Sequence, residues 1–187
     1  MMARNETTVR SRDARHPHRW RALVTIWIGL SALAAWAGDM TVSTTAQVDA
    51  ILKHSKAPPG VVFEIVTRSP GALDWAIPEV RQQAARLRAR FPRLPLAVVS
   101  HGREELALQN AQRAEHISLQ QQIQSLVRND DIAFHVCGTY AERKGLAPED
   151  FPAYIDVAPE GPAQIENYQA LGYIKVRVRR DKQLTLH

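Results

Sequence analysis

The sequence predicts an α/β fold built on a mostly parallel five-stranded sheet with helices on both faces. Short apolar runs recur at residues 61–67, 94–100, 132–137, 155–158 and 173–178, bounded by Gly, Pro and other turn formers as strands are. Between them the apolar residues return every three or four positions, the period of amphipathic helices. Strands alternating with helices make a covered parallel sheet the natural architecture.

The first strand, Val61 to Thr67, follows Pro58, Pro59 and Gly60 and is interrupted only by Glu64. That suits a strand covered on both faces. Ile77, Val80, Ala84, Leu87 and Phe91 then mark an amphipathic helix, with Asp74 as its expected N-cap and Pro92 as its stop. A second strand ends in His101-Gly102. Glu104 and Glu105 open the next helical run, residues 109–116 read as a loop or frayed helix, and Ile117, Leu119, Ile123 and Leu126 resume the helical period. After the third strand, a short fourth strand precedes Gly161-Pro162, which open a helix with Gly172 as its C-cap candidate. Tyr173 to Val178 alternates apolar and basic residues, as an edge strand does. Upstream, Val48, Ile51 and Leu52 suggest one short helix in an otherwise polar lead-in, residues 38–59.

Residues 1–37 read as a leader. Six arginines precede an uncharged, mostly apolar run from Ala22 to Ala37, which ends in Ala35-Trp36-Ala37. A basic segment, an apolar segment and a small-x-small ending are the three parts of a secretory signal. The expectation is cleavage near Ala37 and a periplasmic or secreted protein. A retained anchor in the inner membrane, facing the periplasm, is the alternative, although the run is short for a span of about 20 residues. The leader holds 6 of the 24 basic and 2 of the 19 acidic residues, leaving 18 and 17 in residues 38–187, a net charge of +1. The high pI therefore gives no warrant for nucleic-acid binding by the folded part. No membrane contact is expected unless the leader is retained.

The chemistry centres on DIAFHVCGTYAERKG, residues 131–145. The third strand runs into Cys137, the chain's single cysteine, and a helical pattern follows. A thiol at the carboxyl end of a parallel strand lies where open α/β sheets bind ligands, and a neighbouring helix N-terminus favours the thiolate form of a cysteine. A lone strand-end cysteine is also commonly a small buried hydrophobe. His101 ends the second strand, so it is expected on the same edge, as a proton shuttle or cationic partner for the thiol, or as a loop histidine bonded to backbone. Arg68 follows the first strand and is a candidate anion contact. Gly138, Thr139 and Tyr140 follow the thiol and are candidate substrate contacts. His135 shares a side of its strand with Cys137, but a His-x-Cys pair is half a metal site, so no metal is expected. Glycine-rich dinucleotide and Walker patterns are absent, so no nucleotide cofactor is expected.

The segment IAFHVCGTYAERKGLAPEDFPAYIDVAPEGPAQIENYQALGYIKV resembles the C-terminal half of the DsrE/DsrF-like family of small sulfur-metabolism proteins, and VVSHG at 98–102 resembles the His-Gly after the second strand in one branch of it. Similarity runs over about residues 60–178 of a domain placed at 60–187. Thr139-Tyr140 departs from the small polar pair expected after Cys-Gly, and the leader departs from cytoplasmic sulfur-relay members. The resemblance implies a three-layer, flavodoxin/Rossmann-like fold and homo-oligomers, trimers or hexamers. It also implies a sulfur carrier or sulfurtransferase-like protein holding sulfane sulfur on Cys137, with a partner protein or small thiol as donor and acceptor. A non-catalytic, oligomeric small-ligand-binding or assembly protein with a structural cysteine is the alternative. With no C-x-x-C pair, a thiol redox partner is disfavoured.

Overall fold

The computed structural model describes residues 42–180; the expected leader, and with it the expected cleavage near Ala37, lies outside them. Five strands, β1 (Val61–Ile65), β2 (Leu96–Ser100), β3 (Ile132–Cys137), β4 (Asp156–Ala158) and β5 (Ile174–Arg177), form one sheet in the order β4-β3-β2-β1-β5. Every pairing is parallel. The helices are α1 (Thr44–Leu52), α2 (Leu73–Arg90), α3 (Ile117–Arg128), α4 (Gly138–Glu142) and α5 (Gly161–Ala170). No described helix is long and apolar enough to cross a membrane.

The sheet's two faces are unequal. Alternate strand residues Val61, Phe63, Ile65, Leu96, Val98, Ile132, Phe134 and Val136 point into the main core, with apolar residues of α1, α2 and α3. The opposite face has a small apolar patch of Val62, Ala97 and Val99 under Ile165 of α5. Burial on both faces explains why the strands read as nearly continuous apolar runs.

Chain order explains the arrangement. Strands β1 to β4 are laid down side by side, each joined to the next by a crossover. The last crossover, α5, returns the chain across the sheet to the far side of β1, where β5 pairs in register with Glu64 opposite Arg177. The expected edge strand is therefore an edge strand.

That edge is covered by side chains of α1. Gln47 Oε1 accepts the N–H of Arg177 at 2.9 Å, and Gln47 Nε2 donates to the Arg177 carbonyl at 3.0 Å. Thr44 Oγ1 accepts the N–H of Arg179 at 2.8 Å. A glutamine amide thus takes the place of a neighbouring strand's peptide group, satisfying backbone that an open edge leaves unpaired. Ser43 caps α1, accepting from the Ala46 N–H at 3.1 Å.

Two local expectations are corrected. Asp74 is not the N-cap of α2: a 3-10 turn, Pro70–Ala72, feeds straight into the helix, leaving Asp74 in its first turn. The run after His101-Gly102 is not an α-helix. It forms two 3-10 segments, Arg103–Leu108 and Asn110–Gln112. The reason is that Glu104 and Glu105, expected in the first turn of a helix, are both fully buried and turn back to bind backbone at the strand ends.

Candidate functional site

The register of β2 against β3 pairs Ser100 with Val136, so His101 and Cys137 are the next residues along neighbouring strands. Both lie at the carboxyl edge and on the α5 side of the sheet. They line a cleft of about 260 Å³ with Thr139, Tyr140, Arg143, Glu160 and Pro162. Of the residues expected at the site, His101, Cys137, Thr139 and Tyr140 are thus brought together. Gly138 instead lines an adjoining cleft of about 640 Å³, bordered also by Ala141, Leu146, Val157 and Pro159. Thr139 and Glu160 belong to both clefts. Arg68 is exposed after β1 and does not line the thiol cleft; the turn through Ser69 and Pro70 keeps it on the surface.

Cys137 is 5 % exposed. Its Sγ accepts the backbone N–H of Gly161 at 3.3 Å. The helix end facing the sulfur is therefore that of α5, which starts at Gly161, and not only that of the five-residue α4 next in sequence. Helix N-termini carry partial positive charge and unpaired N–H groups, so a negative sulfur at this position meets a donor. Gly161 makes the approach possible. A Cβ there would lie 2.5 Å from His101 Cβ and 3.3 Å from Cys137 Cβ. Thr139 braces the other wall, with its N–H and hydroxyl both donating to the Pro159 carbonyl at 2.9 Å.

Behind the thiol are the two buried glutamates. Glu104 accepts from the N–H groups of Thr67 (2.9 Å) and Gly102 (3.0 Å), and from the hydroxyls of Thr67 (3.0 Å) and Ser100 (2.9 Å). It ties the end of β1 to the end of β2. No side chain fits at Gly102, where a Cβ would come within 2.5 Å of the Thr67 carbonyl oxygen. Glu105 Oε2 accepts the N–H of Cys137 itself at 3.1 Å, while its Oε1 is buried without a hydrogen-bond partner among the described residues. Burial pushes the Glu105 carboxyl up to about 8, against the Cys137 N–H bond that favours the charged form, and the neighbouring Glu104 adds to the rise.

A polar row crosses the α5 face one step below His101 and Cys137. Arg177, Glu64, Val99, His135 and Asp156 are successive partners across β5, β1, β2, β3 and β4. Glu64 Oε1 is 3.0 Å from His101 Nε2, and Glu64 Oε2 is 3.7 Å from Lys175 Nζ and 3.8 Å from Arg177 Nε. The His101 bond, helped by these two cations, holds the Glu64 carboxyl below its ordinary range despite burial. His135 is buried, with Nε2 2.8 Å from Tyr168 Oη and Nδ1 3.8 Å from Asp156. Burial lowers its pKa, with Asp156 opposing. It is a covered histidine, and no group of three or more metal-ligating side chains occurs among the described residues.

No family model matches the chain, and no curated protein matches it. Solved structures similar in fold include a protein of unknown function, MTH1491 from Methanobacterium thermoautotrophicum, 21% identical, with a TM-score of 0.51 over 63% of this chain and 96% of that one. At that identity the likeness carries the α/β architecture.

Sequence reasoning missed four of the residues that shape the site. Glu64 reads as an isolated polar residue in an apolar strand, Glu105 as a first-turn helix acid and Gly161 as a helix opener only, while Glu160 carries no reading at all. The signal available was an acid inside a buried strand and a pair of acids directly after a strand-end His-Gly. Arg143, at the end of α4, also lines the cleft.

Proposed function

We propose that this protein carries sulfane sulfur on Cys137, as a persulfide taken from and returned to small thiols or a partner protein. The observation that supports the reading best is the hydrogen bond from Gly161 N–H to Cys137 Sγ at the head of α5, made beside His101 at the carboxyl edge of the sheet. In the transfer, the Cys137 thiol gives its proton to His101 and attacks the outer sulfur of a donor persulfide, R–S–SH. The new Sγ–S bond forms as the donor S–S bond breaks. The electron pair of that bond leaves on R–S⁻, which His101 reprotonates. One sulfur atom moves, and no external oxidant or reductant is needed. A single cysteine suffices because donor and acceptor supply the second thiol. The resemblance to DsrE/DsrF-like proteins supports the same reading, and with it a homo-oligomer. A sheet face protected by one ten-residue helix, α5, with Leu171 68 % exposed at its end, leaves surface for such contacts.

The second reading is a small-ligand-binding or assembly protein whose cysteine only packs. The burial of Cys137 and the larger cleft beside it favour that reading.

Incubation of the native protein with polysulfide, followed by intact mass spectrometry, separates the two. A gain of one sulfur, absent from Cys137→Ser and removed by a small thiol, supports the carrier. A thiol that labels or loads only after denaturation leaves the packing cysteine as the account. Light scattering coupled to size-exclusion chromatography reads the oligomer.

A further inference from the structure

We infer that Glu64 is a positioning residue for the thiol site, holding His101 with its Nε2–H directed at β1 so that the other ring nitrogen serves the cleft. This deepens the sulfur-carrier reading by assigning what orients its proton acceptor.

The geometry carries the inference. A carboxylate only accepts hydrogen bonds, so the 3.0 Å contact between Glu64 Oε1 and His101 Nε2 puts the ring proton on Nε2. Among the described residues no other side chain hydrogen-bonds the His101 ring, and His101 lines the Cys137 cleft. Nδ1 is therefore left with a lone pair in the residue that stands beside the thiol on the neighbouring strand.

Both side chains are nearly enclosed, with 13 % and 11 % of their surface exposed, so the pair has little freedom to reorganise. Nothing in the packing of β1 requires an acid here. Along β1 and toward β2 its same-face neighbours are Val62 and Val99, both apolar, and toward β5 its register partner is Arg177. A carboxylate in a central strand is costly unless it is paired. This one is paired three ways, with His101 on the cleft side and Lys175 and Arg177 on the β5 side. The His101 bond, with the two cations, keeps Glu64 in its acceptor form, and Glu64 in that form fixes the imidazole. An acid orienting a histidine that lies beside a nucleophile is the general logic of an oriented base.

The direct test is the tautomer of His101, read from the ring nitrogen shifts in a two-bond proton–nitrogen NMR spectrum of the full-length protein at mildly alkaline pH. The resonance is assigned by its loss in His101→Gln. The companion measurement is the rate at which iodoacetamide alkylates Cys137 in the native protein, compared between wild type, Glu64→Gln and Glu64→Asp. The inference expects a protonated Nε2 in wild type and a mixed tautomer population in Glu64→Gln. It also expects alkylation slowed about 10- to 100-fold in Glu64→Gln, with substantial recovery in Glu64→Asp. A wild-type ring protonated on Nδ1, or an unchanged tautomer and rate in Glu64→Gln, overturns it. Sulfur loading is scored separately. Loading that proceeds equally well in Glu64→Gln sinks the role of Glu64 and leaves the carrier reading standing. A Glu64-dependent tautomer without any loading does the reverse.

Discussion

Gly161 gives its backbone N–H to Cys137 Sγ from a position pressed against the His101 side chain, where no Cβ has room. One residue therefore sets the separation of the helix end, the histidine and the thiol. Gly161→Ala should destabilise the protein by about 1–3 kcal/mol, the usual cost of forcing a methyl into a packed site, even though alanine is the better helix former. Because the colliding atom is His101 Cβ and not a flexible tip, the clash is relieved only by moving α5 or β2. Denaturant melts should show the loss, and native alkylation of Cys137 should change with it. A variant as stable and as reactive as wild type would refute the close packing.

Glu105 makes stability depend on pH. Its carboxyl is raised from 4.5 to about 8 in the folded protein, so between those values the folded state holds a proton that the unfolded chain has released. Stability from this group is complete at acid pH, falls as pH rises through that window, and is level above it. The swing is on the order of 5 kcal/mol. Glu105→Gln keeps an acceptor for the Cys137 N–H and cannot ionise. It should match wild type near pH 5 and exceed it near pH 9. Urea midpoints at the two pH values check this.

Glu104 behaves differently from its neighbour, because all of its bonds are satisfied. Replacing it with Gln puts an amide donor where two N–H groups and two hydroxyls converge. At least one of the backbone donors of Thr67 and Gly102 then loses its acceptor. Glu104→Gln should cost roughly 2–4 kcal/mol and increase amide hydrogen exchange at Thr67 and Gly102. Exchange confined to its wild-type pattern would argue against the role.

On the outer edge, Gln47→Ala uncovers the N–H and C=O of Arg177. The expected loss is about 1–2 kcal/mol. Aggregation on mild heating should rise more than that loss alone predicts, because a freed edge recruits other strands. Light scattering during a thermal ramp distinguishes this from simple destabilisation.

Much of the architecture was legible in the residues. The runs at Val61, Leu96 and Ile132 are apolar because both faces of the sheet are covered, and that pattern needs no partner to be recognised. The meeting of His101 with Cys137 was legible as well, since parallel strands of similar length share a carboxyl edge. What was not legible depended on contacts distant in sequence. Glu105 looks like a helix-opening acid until its carboxylate is found on the Cys137 N–H, 32 residues away. Gly161 looks like any helix opener until α5 is seen folded back over β2 and β3. Arg68 was legible as a residue after the first strand, but a strand end fixes only the backbone, and its absence from the lining of the thiol cleft depends on the turn that follows.

The bonds that close the β5 edge also bring the two ends of the described chain together. Thr44, at the start of α1, holds the backbone of Arg179, so entrance and exit share one corner of the domain. From β5 to β3, which carries the thiol, is three strand spacings, roughly 14 Å. A short linker from residue 180 to residue 42 should therefore permit a circularly permuted chain, opened in the exposed turn after β1, with its cleft unchanged. A tether attached at that corner would hold the domain by its flank and leave the mouth of the cleft free to turn toward its visitors.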